Sequence, residues 1–161
     1  MYRNHANRNI LKPIVCGVNG DSGTNGEAIC QPLTVTNFSQ FKKITLLVNN
    51  AAVFKMGKFS QCSFDDINSM IDTNLKGAMY CTLEAVEIMK ASKQNARIIN
   101  VASVAAIHGI EGQAIYCASK FGLNGFSEAL NQELIQDGIS ITTLYPGGID
   151  TPLWNEENPY P

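Results

Sequence analysis

The strongest constraint on the fold is an alternation of two periodicities along the chain. Ile44-Thr45-Leu46-Leu47-Val48, Arg97-Ile98-Ile99-Asn100-Val101 and Ile139-Ser140-Ile141-Thr142-Thr143-Leu144-Tyr145 are short runs rich in β-branched and apolar residues. Such continuous runs read as strands buried on both faces. Between the first two, Phe64, Ile67, Met70, Ile71, Leu75, Ala78 and Met79 recur at helical spacing, and Ser63 with Asp66 resembles a capping box. These signals predict a helix over residues 64–90. A second helix is predicted over residues 116–137, ended by Gly138 as its C-terminal cap. Strand, helix, strand, helix, strand, with connections too long for hairpins, describes two right-handed crossovers and a parallel sheet. Ligands in open sheets of this kind bind beyond the carboxyl ends of the strands. An active site is therefore expected among residues 49–52, 102–103 and 146–151.

Composition narrows the partners. The net charge is −2, from 12 basic and 14 acidic residues without long runs, so no electrostatic footprint for nucleic acid or anionic lipid exists. At 161 residues, 45% apolar and 16% charged, the chain has room for one ordinary globular domain. Small neutral or mildly polar ligands suit it better than macromolecular polyanions. The five cysteines, Cys16, Cys30, Cys62, Cys81 and Cys117, form no CxxC pair and are odd in number, which suggests reduced thiols rather than a disulfide framework or a zinc site. His5 and His108 have no second ligand at a metal-like spacing, so no metal is expected. No apolar run reaches the length of a membrane span, and the first residues lack the apolar core of a signal peptide. A cytoplasmic location is expected by default.

Residues 1–32 form a weakly patterned segment. Gly17, Gly20, Gly23 and Gly26 suggest a phosphate-cradling loop at first sight, but Pro32 follows where a helix should present its N-terminal amides. A flexible Gly/Asn loop is the better reading of these residues alone.

Three features of the patterned part carry chemistry. Asn74 falls on the apolar stripe of the first helix, three residues after Ile71 and four before Ala78. A buried amide there must find partners, and a core Asn bonded to the backbone of a neighbouring strand is one reading of it. Tyr116 and Lys120 are four apart, so their side chains leave the same helical face. An ammonium near a phenol favours the phenolate and lowers its pKa from about 10, which would make it a useful general acid/base. A surface or snorkelling pair is the alternative. Ser103 follows the second strand at the rim of the expected crevice, where its hydroxyl can donate to a developing oxyanion.

Taken together, these segments resemble the short-chain dehydrogenases/reductases from about Leu33 to Asn158. Leu47-Val48-Asn49-Asn50-Ala51-Ala52 resembles the family's Asn-Asn-Ala-Gly segment, with Ala52 in place of glycine. Ile71-Asp72-Thr73-Asn74-Leu75 resembles its helical Asn motif, and Asn100-Val101-Ala102-Ser103 the strand end that carries the active serine. Tyr116-Cys117-Ala118-Ser119-Lys120 resembles its Tyr-x-x-x-Lys helix, and Tyr145-Pro146-Gly147-Gly148-Ile149-Asp150-Thr151 the loop over the nicotinamide. The resemblance implies an oxidoreductase that moves hydride between NAD or NADP and a small alcohol or carbonyl. It implies Tyr116 as general acid/base, Ser103 as holder of the substrate oxygen and Lys120 as partner of Tyr116 and of the nicotinamide ribose. It further implies Asn74 as the carbonyl that holds a proton-relay water. Asn50, Ala51 and Ala52 would approach the adenosine ribose, and Ile149 and Thr151 the carboxamide. Self-association through helices 64–90 and 116–137 is implied as well.

The departures shape the expected fold. Family members open with a strand, a Thr-Gly-x-x-x-Gly-x-Gly loop and a helix, and close with a further strand and helix. Thr34 stands where an Asp usually meets the adenine, and the connection from Thr34 to Asn50 is shorter than the family's. The expectation is thus an α/β fold with a partial Rossmann-like, doubly wound parallel sheet over residues 33–161. It would lack the Gly-rich βαβ unit and the last strand and helix, and its first strand would have no neighbour on one edge. Such a chain is either an oxidoreductase with four active positions intact or a catalytically silent fragment that binds or oligomerises.

Overall fold

The computed structural model describes the backbone of residues 14–16, all of residues 43–149, and Leu153, Trp154 and Asn158. Its sheet has four parallel strands in the order β1-β2-β3-β4: Ile14–Cys16, Leu46–Asn49, Ala96–Val101 and Ile139–Leu144. β2 leads to β3 through helices α1 (Phe64–Ile71) and α2 (Ala78–Ser92), and β3 leads to β4 through α3 (Ala114–Leu134). The partial Rossmann-like sheet with crossover helices is thus present as read from the pattern.

One expectation is corrected. β2 was to stand without a neighbour, but β1 lies parallel to it, with Ile14 opposite Leu47 and Cys16 opposite Asn49. Three β-branched or apolar residues are too few to show a period, so Ile14, Val15 and Cys16 carry no strand signal alone. The Gly17–Gly26 loop reading, and everything read into residues 33–42, falls outside the described residues.

Pairing is in continuous register. Leu47 faces Ile98, and Ile98 faces Ile141. Side chains alternate between faces, and on one face Leu47, Ile98 and Ile139 are fully buried against Cys81, Ala85 and Met89 of α2 and Leu134 of α3. Burying one such side chain contributes about 1.5–3 kcal/mol. The strands were expected to be buried on both faces. Instead Leu46, Val48, Ile99 and Val101 on the opposite face are half-buried, because α2 and α3 both pack against the first face.

The helix starts follow local chemistry. Ser63 caps α1 with a complete box: its hydroxyl accepts from the Asp66 amide at 3.1 Å, and the Asp66 carboxylate accepts from the Ser63 amide at 2.8 Å. The helix predicted over 64–90 is interrupted by a π-turn, Asp72–Gly77. The second predicted helix ends in a 3-10 turn, Ile135–Asp137, with Gly138 at φ 72° as the left-handed cap. At Gly122 the helix comes so close to Leu75 that an added Cβ would sit 2.9 Å from the leucine Cδ2. Among the described residues, no helix is long and apolar enough to cross a membrane.

Candidate active site

Beyond the carboxyl end of β3, Ser103 is extended at φ −176° and caps the 3-10 turn Val104–Ala106, its hydroxyl accepting from the Ala105 amide at 3.1 Å. The segment after β4 lies alongside: the Ala102 amide donates to the Leu144 carbonyl at 2.9 Å and the Val104 amide to the Pro146 carbonyl at 3.0 Å. The segments after β3 and β4 that the sequence singled out thus lie side by side at the carboxyl end of the sheet.

Tyr116 lies in the first turn of α3, where the Ser103 side chain acts to lower its pKa. Both Tyr116 and Lys120 are buried, which removes the surface-pair alternative. The Lys120 ammonium lies 5.6 Å from the Tyr116 ring centroid and donates to the Val101 carbonyl at 2.9 Å. Burial lowers the Lys120 pKa from 10.5 to about 8. Burial also pushes the Tyr116 phenol above its ordinary value, opposed by the Ser103 hydrogen bond and aided by Cys117. Burial thus raises the phenol where a lowering by Lys120 was expected.

Asn74 is 1% exposed and sits within the π-turn. Its amide is tied to both backbone groups of Val53: the Oδ1 accepts from the amide at 2.8 Å and the Nδ2 donates to the carbonyl at 2.9 Å. The Nδ2 also donates to the Ser119 hydroxyl at 3.1 Å, and that hydroxyl donates to the Tyr116 carbonyl at 2.7 Å. The Asn74 side chain thus bonds a backbone, as one reading had it, but that of the loop after β2 rather than of a strand. The same clamp links it to the helix that carries Tyr116 and Lys120. Wide turns of this kind recur at functional sites and alter the pairing of backbone carbonyls.

Asn49 and Asn100, at the ends of β2 and β3, form a buried polar seam beneath the site. Asn49 Nδ2 donates to Asn100 Oδ1 at 2.8 Å and to the Thr82 hydroxyl at 3.0 Å, and Asn100 Nδ2 donates to the Ser127 hydroxyl at 2.8 Å. Asn50 is exposed at the carboxyl end of β2, with Ala51 and Ala52 half-buried after it. Ile149, 57% exposed, follows β4, and its carbonyl accepts from the Trp154 indole at 2.9 Å. Thr151 lies outside the described residues.

Sequence reasoning missed a group of residues beside the tyrosine. Phe54 packs edge-on to the Tyr116 ring, centroids 4.9 Å apart, and edge-on to Trp154 at 5.4 Å. Each such pair adds about 0.5–1.5 kcal/mol beyond burial. Asn158, 4% exposed, donates from Nδ2 to the Phe54 carbonyl at 3.2 Å and accepts the Met56 amide on Oδ1 at 2.7 Å. The single tryptophan was the one local signal available for this cluster.

The sequence from 17 to 160 matches the family model described as short chain dehydrogenase. The chain belongs to the short-chain dehydrogenase family. The match begins at Gly17, so the resemblance reaches further back than Leu33 and takes in the glycine-bearing segment after β1. A 3-oxoacyl-(acyl-carrier-protein) reductase of Synechocystis sp. is 35% identical over 129 residues, 80% of this chain and 52% of the relative. The fold is similar to a crystal structure of LigO from Sphingobium sp., with TM-score 0.68 and 27% identity, over 71% of this chain and 44% of the other. It is also similar to a short-chain dehydrogenase/reductase from Burkholderia phymatum in complex with NAD, with TM-score 0.66 and 27% identity, over 75% of this chain and 48% of the other. This short-chain dehydrogenase thus spans about half the length of the relatives it matches.

Proposed function

We propose that this chain carries the proton-transfer half of a nicotinamide-dependent interconversion of alcohols and carbonyls, with Tyr116 as general acid/base. The observation that carries the reading is the burial of Tyr116 beyond the carboxyl end of the sheet with the buried Lys120 ammonium 5.6 Å from its ring. In reduction Tyr116 gives its phenolic proton to the substrate oxygen, and in oxidation it takes that proton back. Ser103 donates to the same oxygen and steadies the charge that grows there.

Lys120 suits a nicotinamide ribose. An ammonium has three protons to donate, and among the described residues Lys120 Nζ uses one, toward the Val101 carbonyl. Ribose hydroxyls would take the others. A ribose there would also leave the ammonium close to the phenol, favouring its ionised form. The cofactor, when bound, supplies the hydride. Asn50, Ala51 and Ala52 would meet its adenosine side, and Ile149 and Thr151 its carboxamide side. The backbone carbonyl of Asn74 would hold a water that links Lys120 to solvent. NAD and NADP both fit this assignment, and small carbonyl or alcohol substrates follow from the chemistry. We also propose self-association through the outer faces of α2 and α3, where Tyr80, Leu83 and Phe121 are exposed.

Titration of the purified chain with NADH and NADPH, followed by calorimetry, tests the reading. Saturable binding and turnover of a simple carbonyl are expected; no binding at millimolar cofactor rejects it. Binding without turnover would favour the rival, a silent binding module.

A further inference from the structure

The aromatic cluster beside Tyr116 is not used by the reaction, and its arrangement is informative. Phe54 stands between two rings, edge-on to both Tyr116 and Trp154. Its backbone is gripped at two points by one buried amide, since Asn158 donates to the Phe54 carbonyl and accepts the Met56 amide. These bonds join residues more than a hundred positions apart, so they hold the segment after β2 against the far end of the chain. The same segment is held from the other side, where Asn74 bonds both backbone groups of Val53. Phe54 thus sits between two amide clamps, one on each side, with its ring against the phenol.

We infer that Asn158 and Phe54 are positioning residues, which fix the plane of the Tyr116 ring and keep water from its face. The inference rests on the reading of Tyr116 as the acid/base. The geometry distinguishes this from plain core packing. A leucine would fill the space of Phe54, but only a ring edge constrains the plane of Tyr116, and edge-to-face pairs depend on orientation. The paired bonds of Asn158 match an amide's donor and acceptor to a carbonyl and an N–H two residues apart, which neither an alanine nor a carboxylate reproduces. The titratable and polar groups next to the phenol are the Ser103 hydroxyl, the Cys117 thiol and the Lys120 ammonium, and the half-buried Cys62 packs against the same cluster.

The test reads the phenol directly and needs no turnover. The chain is labelled with 13C at tyrosine, and the Tyr116 resonance is assigned with Tyr116→Phe and titrated by NMR in the wild type, Asn158→Ala, Asn158→Asp and Phe54→Leu. Circular dichroism monitors folding, and the emission of the sole tryptophan, Trp154, reports on the cluster. In folded variants the Tyr116 midpoint should move down toward the ordinary value of about 10 as water reaches the ring. Trp154 emission should shift to the red in the Asn158 variants. A folded variant with an unchanged Tyr116 titration overturns the inference, since a purely structural role would lower the melting temperature alone. If both Asn158 variants fail to fold, Phe54→Leu, which leaves the clamp intact, decides in the same way. Where turnover is measurable, kcat should fall about 10-fold or more with the nicotinamide KM unchanged, because displacing an acid/base group slows the chemical step. Absence of turnover in the wild type would sink the proposed function, while the titration would still decide the positioning role.

Discussion

At the scale of single residues, the proposed roles of Asn74, Ser103, Tyr116 and Lys120 can each be tested by substitution. Tyr116→Phe keeps the ring against Phe54 and removes only the hydroxyl, so it should abolish turnover while leaving nicotinamide affinity nearly unchanged. Steady-state rates with a cofactor titration check this, and retained turnover would remove Tyr116 from its role. Lys120 gives a stability prediction with a definite sign. Its pKa is lowered to about 8 in the fold from 10.5, so between these values the unfolded chain binds more protons and stability rises with pH. Below about 8 the cost of the buried ammonium is fully present. Lys120→Met should therefore raise the melting temperature at pH 7, and its advantage over the wild type should shrink as the pH approaches 10. A constant difference across that range would show that the ammonium is not buried in solution. The positions of these residues were legible from spacing and order alone, Asn74 most clearly because a polar residue interrupts an apolar stripe. Their partners were not. Nothing local shows that Asn74 bonds Val53, or that burial would hold the phenol up, since both depend on what packs around them.

At the scale of elements, the start of α1 is the most exposed to test. The Asp66 carboxylate accepts from the Lys55 ammonium at 2.8 Å and from the Ser63 amide, and these hold its pKa at about 2, below the usual 3.8. A carboxyl lowered in the fold contributes stability that is present above 3.8 and lost as the pH falls toward about 2. Asp66→Asn should flatten the acid limb of the melting-temperature profile in that window. An unaltered limb would place the acid sensitivity elsewhere. Ser63→Ala removes the other arm of the box and should cost about 1 kcal/mol in denaturant unfolding. The box was legible because it is a local code four residues long. The π-turn was not, because Ile71, Leu75 and Ala78 satisfy a helical period well enough that one extra residue in a turn is invisible. β1 was lost for a related reason, its three residues being too few to display a period.

At the scale of the whole molecule, the parallel sheet and its crossover helices followed from the alternation of strand and helix signals, whereas the place of β1 and the contacts made at long range did not. Asn158 reaches Phe54 and Met56, and Trp154 reaches Phe54, and no periodicity links such distant residues. The exposed Tyr80 and Leu83 on α2 and Phe121 on α3 frame the proposed association of copies. Leu83→Glu should then reduce the apparent mass in light scattering without loss of helical signal. A mass that does not change, or a monomeric wild type, would remove these helices as the interface.

The π-turn also acts as a phase adjuster between two helices that answer to different bodies. α1 turns Met70 toward Phe54 and Tyr116, while α2 turns Cys81, Ala85 and Met89 toward Leu47 and Ile98 of the sheet. A straight α-helix advances about 100° per residue, so an extra residue in it would rotate one helix against the other by that amount. The wide turn takes up its extra residue and keeps both faces in phase. A further insertion after Thr73, with no second wide turn to absorb it, would have to give up either the floor of the sheet or the wall beside Tyr116. For this stretch of chain, length is therefore under tighter control than side-chain identity.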